Sequence, residues 1–399
     1  MIVFAACLAA FLARLAVERL RLDRARRRVP LRIAVTGTRG KSGVTRLIAA
    51  GLRASGVRVL AKTTGSRPAF ILPDGTEEEI PRPGRSSIRE QVRVVRRAAT
   101  IGAEALVVEL MSIGEECLRA ESRRIVRPGL LALTNVRLDH LDDMGRRKED
   151  IARTFAAAFP PGAAVFLPSE EVYPVFRDQA ARLGSRLEAV AAAGVGGDIR
   201  AEAALPFEEF EPNIRLALAV LASAGVGRDT ALGGMRRAAP DFGGLRLWRG
   251  AFGSPPRPAF CASAFAANEP ESSAAALERL RSLLPAGPRS LVGVLCLRED
   301  RGDRTLQWIR AAAAGFFSDF EAVAVLGDPA PAAARKLRRL AGPAAAKFSF
   351  FTNPRPAELM DRLVSQAARE PAVVGLGNIA GPGERILRYW EEEATSYGR

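Results

Sequence analysis

The chain has 399 residues, 48% of them hydrophobic, with 59 Lys and Arg against 44 Asp and Glu and a formal net charge of +15. That length and apolar content supply cores for two or three domains and exclude a chain that is mainly disordered or a repeat array. A single histidine excludes a multi-histidine metal site, and four widely separated cysteines (Cys7, Cys117, Cys261 and Cys296) exclude a zinc ribbon or a disulfide framework.

The first thirteen residues, MIVFAACLAAFLA, are all apolar, and a run of arginines from Arg19 to Arg28 follows. As a helix this run covers ~20 Å, short of the ~30 Å hydrocarbon core of a bilayer. Positive charges lie behind the apolar run, whereas a secretory signal carries them in front, and the positive-inside bias keeps the remainder on the cytoplasmic side. The expectation is an N-terminal hydrophobic and basic helix over 1–29 that anchors or docks the chain at the cytoplasmic face of the cell membrane. The alternative is a helix packed on the protein itself.

LRIAVT (31–36) is a short, β-branched apolar run and reads as a buried strand. AVTGTRGKSGVTRL follows it into a helix that ends near Gly56. Only Thr38 and Arg39 separate Gly37 from Gly40, a shorter spacing than the usual P-loop, yet the strand–glycine turn–Lys41–Ser42–helix order is that of a phosphate cradle. VRVLAKT (57–63) is a second strand, and Lys62, Thr63 and Thr64 at its end face either a carboxylate substrate or nothing more than a strand terminus. The stretch from Ser66 to Ser87 reads as an exposed loop, and a basic helix then runs to about Ala99.

AEALVVELMS and GLLALTNV are further buried strands. Glu109 ends the first of them; an acid there either faces a ligand crevice at the carboxyl edge of a parallel sheet or is a satisfied strand end. TNVRLDHLDDMG (134–145) follows the second and holds His140, with Asp139 or Asp142 able to orient its ring and leave the other nitrogen for a metal. A helix at 148–159, the strand GAAVFLP and the helix EPNIRLALAVLASAG continue the alternation. The Gly/Pro-rich stretch 240–257 reads as a linker. SLVGVLCL, EAVAVLG, KFSFFT and AVVGLG then give a second α/β unit.

TGTRGKS, a strand-terminal Glu and TNVRLDHLD, in that order, resemble the central domain of the Mur ligase and folylpolyglutamate synthase superfamily. FEPNIRLALAVLASAGV resembles its Asn-bearing helix, APDFGGLR its Pro-Gly-Arg segment, and LREDRGDRT its Asp-Arg motif. The apolar N-terminal helix directly before the P-loop domain, AFAANEPESS and GLGNIAGPGE resemble the ligase subunits of poly-γ-glutamate synthases. Phe155 lies in ARTFAAAF where several members of the superfamily carry a carbamylated lysine, and Ala380 stands in GNIAG where histidine is expected.

The resemblance implies a P-loop NTPase-type central domain with a parallel sheet over 30–246, followed by a smaller Rossmann-like α/β domain over 247–399. It implies ATP-dependent amide ligation: glutamate's γ-carboxylate takes the γ-phosphate of ATP, and an incoming amine displaces phosphate from the acyl phosphate. Lys41 and the loop residues Gly37, Thr38, Arg39, Gly40 and Ser42 would hold ATP, with Asn213 at the adenine and Arg246, Arg301 and Arg304 as further nucleotide contacts. Ser42 and Glu109 would hold one Mg²⁺ and His140 a second; Lys41, Glu109 and His140 carry the chemistry, and Asn268 joins Lys62, Thr63 and Thr64 at the substrate. The implied partners are small membrane subunits of a synthase complex, glutamate and the anionic polyglutamate chain, and further copies of the chain. A Mur- or folate-type ligase with another acceptor, or a non-catalytic P-loop scaffold, is the alternative.

Most of the basic residues are arginine, which suits a polyanion such as polyglutamate but also follows from GC-rich codon usage. Aromatic residues make up only 6%, which argues against base stacking, and no nucleic-acid partner is expected.

Overall fold

The computed structural model describes residues 2–65, 67–82, 87–191 and 197–397. They form two compact units. The first takes residues 1–136, 143–205 and 210–239, and the second takes 137–142, 206–209 and 240–399. The second unit therefore includes the short segment around His140, although its flanks belong to the first.

The first unit opens with helix α1 (Ile2–Arg28), strand β1 (Leu31–Thr36), α2 (Lys41–Ala54) and β2 (Val59–Lys62). The stretch read as a loop from Ser66 to Ser87 holds two short strands, β3 (Ala69–Ile71) and β4 (Glu77–Glu79), with Ser66 and 83–86 lying outside the described residues. These strands pair antiparallel with β2 and with each other, so the sheet is mixed rather than parallel throughout. Gly75 makes their turn with φ +92. Strands of three residues leave too short a periodic pattern to stand out from a charged loop.

α3 (Arg89–Thr100), β5 (Ala105–Glu109) and α4 (Glu115–Arg119) follow, then a π-helical turn over Ala120–Val126. β6 (Leu130–Leu133), α5 (Leu141–Met144), α6 (Lys148–Ala156), β7 (Ala164–Pro168), α7 (Pro174–Leu183), β8 (Arg186–Val190), α8 (Ile199–Ala203), α9 (Glu211–Ser223) and α10 (Arg228–Met235) complete it. The sheet order is β4-β3-β2-β5-β1-β6-β7-β8, with β1 parallel to both β5 and β6. Strand β1 thus sits where the connections turn from one side of the sheet to the other, the place where α/β sheets open a crevice at their carboxyl edge. All residues of β2, β5 and β7 are buried, as expected for strands covered on both faces. Phe155 is 4% exposed and belongs to this core.

The second unit contains β9 (Arg246–Phe252), β10 (Arg257–Ser263), α11 (Pro270–Leu283), β11 (Ser290–Cys296), α12 (Gly302–Ala313), β12 (Phe320–Leu326), α13 (Ala330–Ala341), β13 (Phe348–Phe351), α14 (Pro356–Gln366), β14 (Pro371–Gly377), α15 (Pro382–Glu393) and β15 (Ala394–Ser396). Their order is β13-β12-β11-β14-β10-β9-β15. The stretch read as a linker contains β9, antiparallel to β10. Neighbouring residues face opposite sides of this sheet: Leu247, Ala262 and Leu295 join one apolar cluster, while Trp248, Cys261 and Cys296 join the other. That period of two covers both faces with core.

Candidate active site

Strand β1 delivers the chain to Thr36 and α2 starts at Lys41, so the turn between them is tight. Gly37 has φ +121 and Gly40 φ +78, values that a side chain would strain. Space imposes the same choice. A Cβ on Gly37 would lie 2.2 Å from Thr134 Oγ1, and one on Gly40 would lie 2.6 Å from Asn213 Nδ2.

Asn135 braces the outer part of the turn. The Thr38 N–H donates to the Asn135 backbone oxygen at 3.0 Å, the Arg39 N–H donates to Asn135 Oδ1 at 3.0 Å, and Asn135 Nδ2 donates back to the Arg39 carbonyl at 3.1 Å. An anion at this turn is therefore met by the start of α2, where N–H groups have no intrahelical acceptor and the dipole is positive. Lys41 Nζ donates to the carbonyls of Gly37 (2.9 Å) and Thr38 (3.2 Å), which keeps the ammonium over the loop.

Glu109 ends β5, in register with Val35 of β1, and is 2% exposed. Its Oε2 accepts from Ser42 Oγ at 2.8 Å and from the Thr64 N–H at 2.8 Å. Ser42 and Glu109 thus present two hard oxygen donors side by side, the set Mg²⁺ takes when phosphate and water supply the rest. A Cβ at Gly65 would come within 2.8 Å of Ser42 Oγ, so that position too keeps the pair uncrowded. Among the described residues, no group of three or more His, Cys, Asp or Glu is arranged to hold a metal ion.

Other expected residues are placed differently. Lys62 is fully buried, with Nζ 2.7 Å from Glu90 Oε1, and Glu90 also accepts from Arg82 Nε (3.0 Å) and Nη2 (2.8 Å). Thr63 is 1% exposed, and its N–H donates to the Ala69 carbonyl at 2.9 Å, tying it to β3. Both face structure rather than an open substrate crevice, because β3, β4 and α3 fold against the end of β2. Of these three residues it is the Thr64 backbone that reaches the Ser42–Glu109 pair, through Glu109. Asn213 is 5% exposed and lies against Gly40, so its side chain backs the glycine turn.

In the second unit, Arg304 is 5% exposed and committed. Its Nε and Nη2 each donate to an Asp139 carboxylate oxygen at 2.9 Å, and its Nη1 donates to Asn378 Oδ1 at 2.9 Å. The expected nucleotide role of Arg304 gives way to this buried fork. Arg301 Nη1 lies 2.8 Å from His140 Nδ1. A guanidinium only donates, so Nδ1 accepts from Arg301 in this arrangement. The His140 backbone is left-handed, φ +50, and its N–H donates to Asp139 Oδ1 at 3.0 Å.

Arg246 pairs with Glu391 at 2.7 Å and stacks over Trp248 with its guanidinium carbon 5.1 Å from the ring centre. The Asn268 backbone oxygen accepts from Trp308 Nε1 at 3.0 Å, a structural role for the main chain at that position.

Four residues that sequence reading passed over are central. Asn135 sits inside the TNVRLDHLD motif one residue beyond Thr134, which follows β6, a signal strong enough to have marked it. Gln91, Glu90 and Glu121 had none. Gln91 Nε2 donates to the Glu109 carbonyl at 3.0 Å and to Glu121 Oε1 at 2.5 Å, and Glu121 accepts from the N–H groups of Met111 (2.9 Å) and Ser112 (3.0 Å). This buried carboxylate fixes the chain just after Glu109 from the π-helical turn that follows it.

Residues 35–217 match the Mur ligase middle domain family, and residues 251–393 match the poly-gamma-glutamate synthase CapB C-terminal domain family. Capsule biosynthesis protein CapB of Bacillus anthracis is 32% identical over 285 residues, 71% of this chain but 60% of that one. PGA synthase CapB of Bacillus subtilis (strain 168) is 30% identical over 285 residues, covering 70% of each chain. The match thus spans well under the whole of the first of these relatives. Among solved structures, E. coli FolC in complex with ADP superposes with a TM-score of 0.69 at 19% identity, over 96% of this chain and 97% of that one. MurF from Acinetobacter baumannii gives 0.65 at 17%, over 95% and 80%. These likenesses establish the fold, and the sequence matches that run through both units establish that the chain belongs to the CapB family of poly-γ-glutamate synthases.

Proposed function

We propose that the chain is an ATP-dependent, ADP-forming ligase that joins glutamate through its γ-carboxylate and so extends poly-γ-glutamate. The observation that carries this reading is the Ser42–Glu109 pair, 2.8 Å apart, beside a glycine turn at the start of α2. The difficulty such a reaction must solve is that two anions have to meet. Lys41 and the first turn of α2 neutralise and hold the terminal phosphates, while Asn135, Thr134 and Asn213 keep the turn in shape. Ser42 and Glu109 hold Mg²⁺, which when bound supplies further charge neutralisation at the phosphates.

A free carboxylate is a poor acyl donor. Once its oxygen carries the γ-phosphoryl group, that oxygen leaves as phosphate when the amine of the next glutamate attacks the carbonyl carbon. Catalysis is then mostly positioning and electrostatics, which a rigid sheet edge provides. The relatives named as PGA synthase and capsule biosynthesis protein support glutamate as the building block.

The same reading includes docking of α1 at the cytoplasmic face of the membrane, beside small membrane subunits of the synthase and further copies of this chain. Among the described residues no helix is long and apolar enough to cross a membrane, so the proposed mode is docking rather than spanning. Residues 2–17 of α1 are exposed all round, and Ile2, Val3 and Phe4 are among its most exposed apolar residues. An apolar surface of that size calls for a cover.

The test is mass spectrometry of the product made from ATP, Mg²⁺ and glutamate by membranes that carry the chain and the small subunits. γ-Linked glutamate oligomers with matching ADP are expected, and Lys41→Ala removes both. ADP release only with another amino acid redirects the reading to a folate- or Mur-type ligase. Nucleotide binding without any amide product leaves a scaffold.

A further inference from the structure

At the root of α1 lies a 780 Å³ pocket that the site described above does not use. Its walls come from three elements of the first unit. Arg19 projects from α1; Arg89, Arg93 and Arg96 project from α3; Arg124 and Arg127 come from the π-helical turn and the residue that ends it. One acid, Glu18, faces them in the pocket wall. Among the described residues, Arg127 reaches a carboxylate only at 4.0 Å, on Asp23, and Arg19, Arg89, Arg93, Arg96 and Arg124 form no salt bridge. Arg96 Nε is buried without a hydrogen-bond partner. Arg26, which also lines the pocket, is paired with Asp23, so folding gathers more guanidinium groups than Glu18 and Asp23 can balance, an excess that an entering anion relieves.

The pocket also has an apolar side. Leu15 and Leu22 of α1 line it with Val92 and Ile125. Leu15 continues directly into the exposed apolar stretch, which holds Phe4, Leu8, Phe11 and Leu12. The twelve residues from Ile2 to Ala13 form ~18 Å of helix, about the depth of one leaflet. A soluble polyanion would satisfy the arginines but leave that apolar stretch in water. An anionic phospholipid satisfies both, since its phosphate and its acyl chains meet at the boundary where arginines give way to leucines.

We propose that this pocket seats the phosphate headgroup of an anionic phospholipid while residues 2–13 of α1 enter the same leaflet. The proposal rests on the docking reading above and adds a headgroup site to it. The arginine pocket sets preference for anionic membranes, and the apolar helix supplies insertion.

The experiment is flotation of the purified full-length chain with vesicles of phosphatidylcholine alone and with added phosphatidylglycerol. Three proteins are compared: the parent, Arg89→Glu/Arg93→Glu, and Phe4→Asp/Phe11→Asp. Arg89 and Arg93 are exposed, so their reversal leaves the fold intact, checked by thermal unfolding. The parent is expected to prefer anionic vesicles and to lose that preference with salt. The arginine variant is expected to bind them roughly 25-fold more weakly, taking about fivefold for each arginine near the surface, while its weak binding to neutral vesicles persists. The phenylalanine variant is expected to lose both.

Equal binding of anionic vesicles by the parent and the arginine variant would overturn the headgroup site while leaving docking standing. No vesicle binding by the parent would remove the docking reading itself. A third arm adds soluble poly-γ-glutamate or inorganic phosphate: if either binds the parent and not the arginine variant, while vesicle binding is equal, the pocket belongs to a soluble anion and the lipid assignment falls.

Discussion

Lys62 has 0% exposure, and its ammonium stays 2.7 Å from Glu90, which also takes both Nε and Nη2 of Arg82. Burial pulls the Lys62 pKa down, partly offset by its hydrogen bond to Glu90. For Glu90, burial alone pushes the other way, and the hydrogen bonds from Arg82 and Lys62 outweigh it, leaving the carboxyl below its ordinary value of 4.5. Glu90→Ala leaves a buried ammonium without a partner and is expected to cost about 3–5 kcal/mol in denaturant unfolding. Lys62→Met is expected to cost less, because Glu90 keeps Arg82; an equal loss from both substitutions would contradict this asymmetry. A depressed acid contributes stability that is fully present above its unfolded value, near pH 4.5, and is lost as pH falls through the lower folded value. Glu90→Gln should therefore flatten the acid limb of the stability–pH curve below about pH 4.5.

The phosphate turn is decided among elements, because its shape depends on what β6 and α9 place behind it. Gly37 needs a left-handed backbone and also an empty Cβ position against Thr134. Gly37→Ala is expected to abolish ATP binding in calorimetry, with thermal unfolding lowered by the strain of roughly 1–3 kcal/mol that such a backbone imposes on a side chain. Asn135→Ala removes the acceptor for the Arg39 N–H and the donor to the Arg39 carbonyl, so a smaller loss is expected, about tenfold in ATP affinity from two neutral hydrogen bonds. Unaltered affinity would show that the turn holds its shape without the brace. The hairpin of β3 and β4 matters at this scale too: by covering the end of β2 it turns Lys62 and Thr63 inward. A reading of β2 alone points them at a substrate.

Across the molecule, the second unit borrows residues 137–142 from the middle of the chain, and Arg304 receives its carboxylate partner from that segment. A fragment starting at Pro240 keeps Asn378 but leaves the Arg304 guanidinium, 5% exposed, without Asp139. Its stability is expected to fall by several kcal/mol relative to the same unit in the full chain, since an uncompensated buried charge is costly. Arg304→Met should recover much of that loss in the fragment and destabilise the full chain. If the fragment is as stable with arginine as with methionine, the buried fork contributes little.

The sequence by itself determined the strand–turn–helix of the phosphate loop, the alternation of buried strands and helices, the α1 helix and the family. Those features are local: a β-branched run, two glycines with lysine and serine behind them, and an uninterrupted apolar stretch each act through their own neighbours. Only the tertiary structure decided that Glu109 meets Ser42, that Asn135 braces the turn, that Arg304 closes on Asp139, and that arginines from α1, α3 and the π-helical turn share one pocket. Such pairings join residues tens to more than a hundred positions apart, and charge at that separation finds its partner through packing of the sheet and helices, which no spacing along the chain encodes.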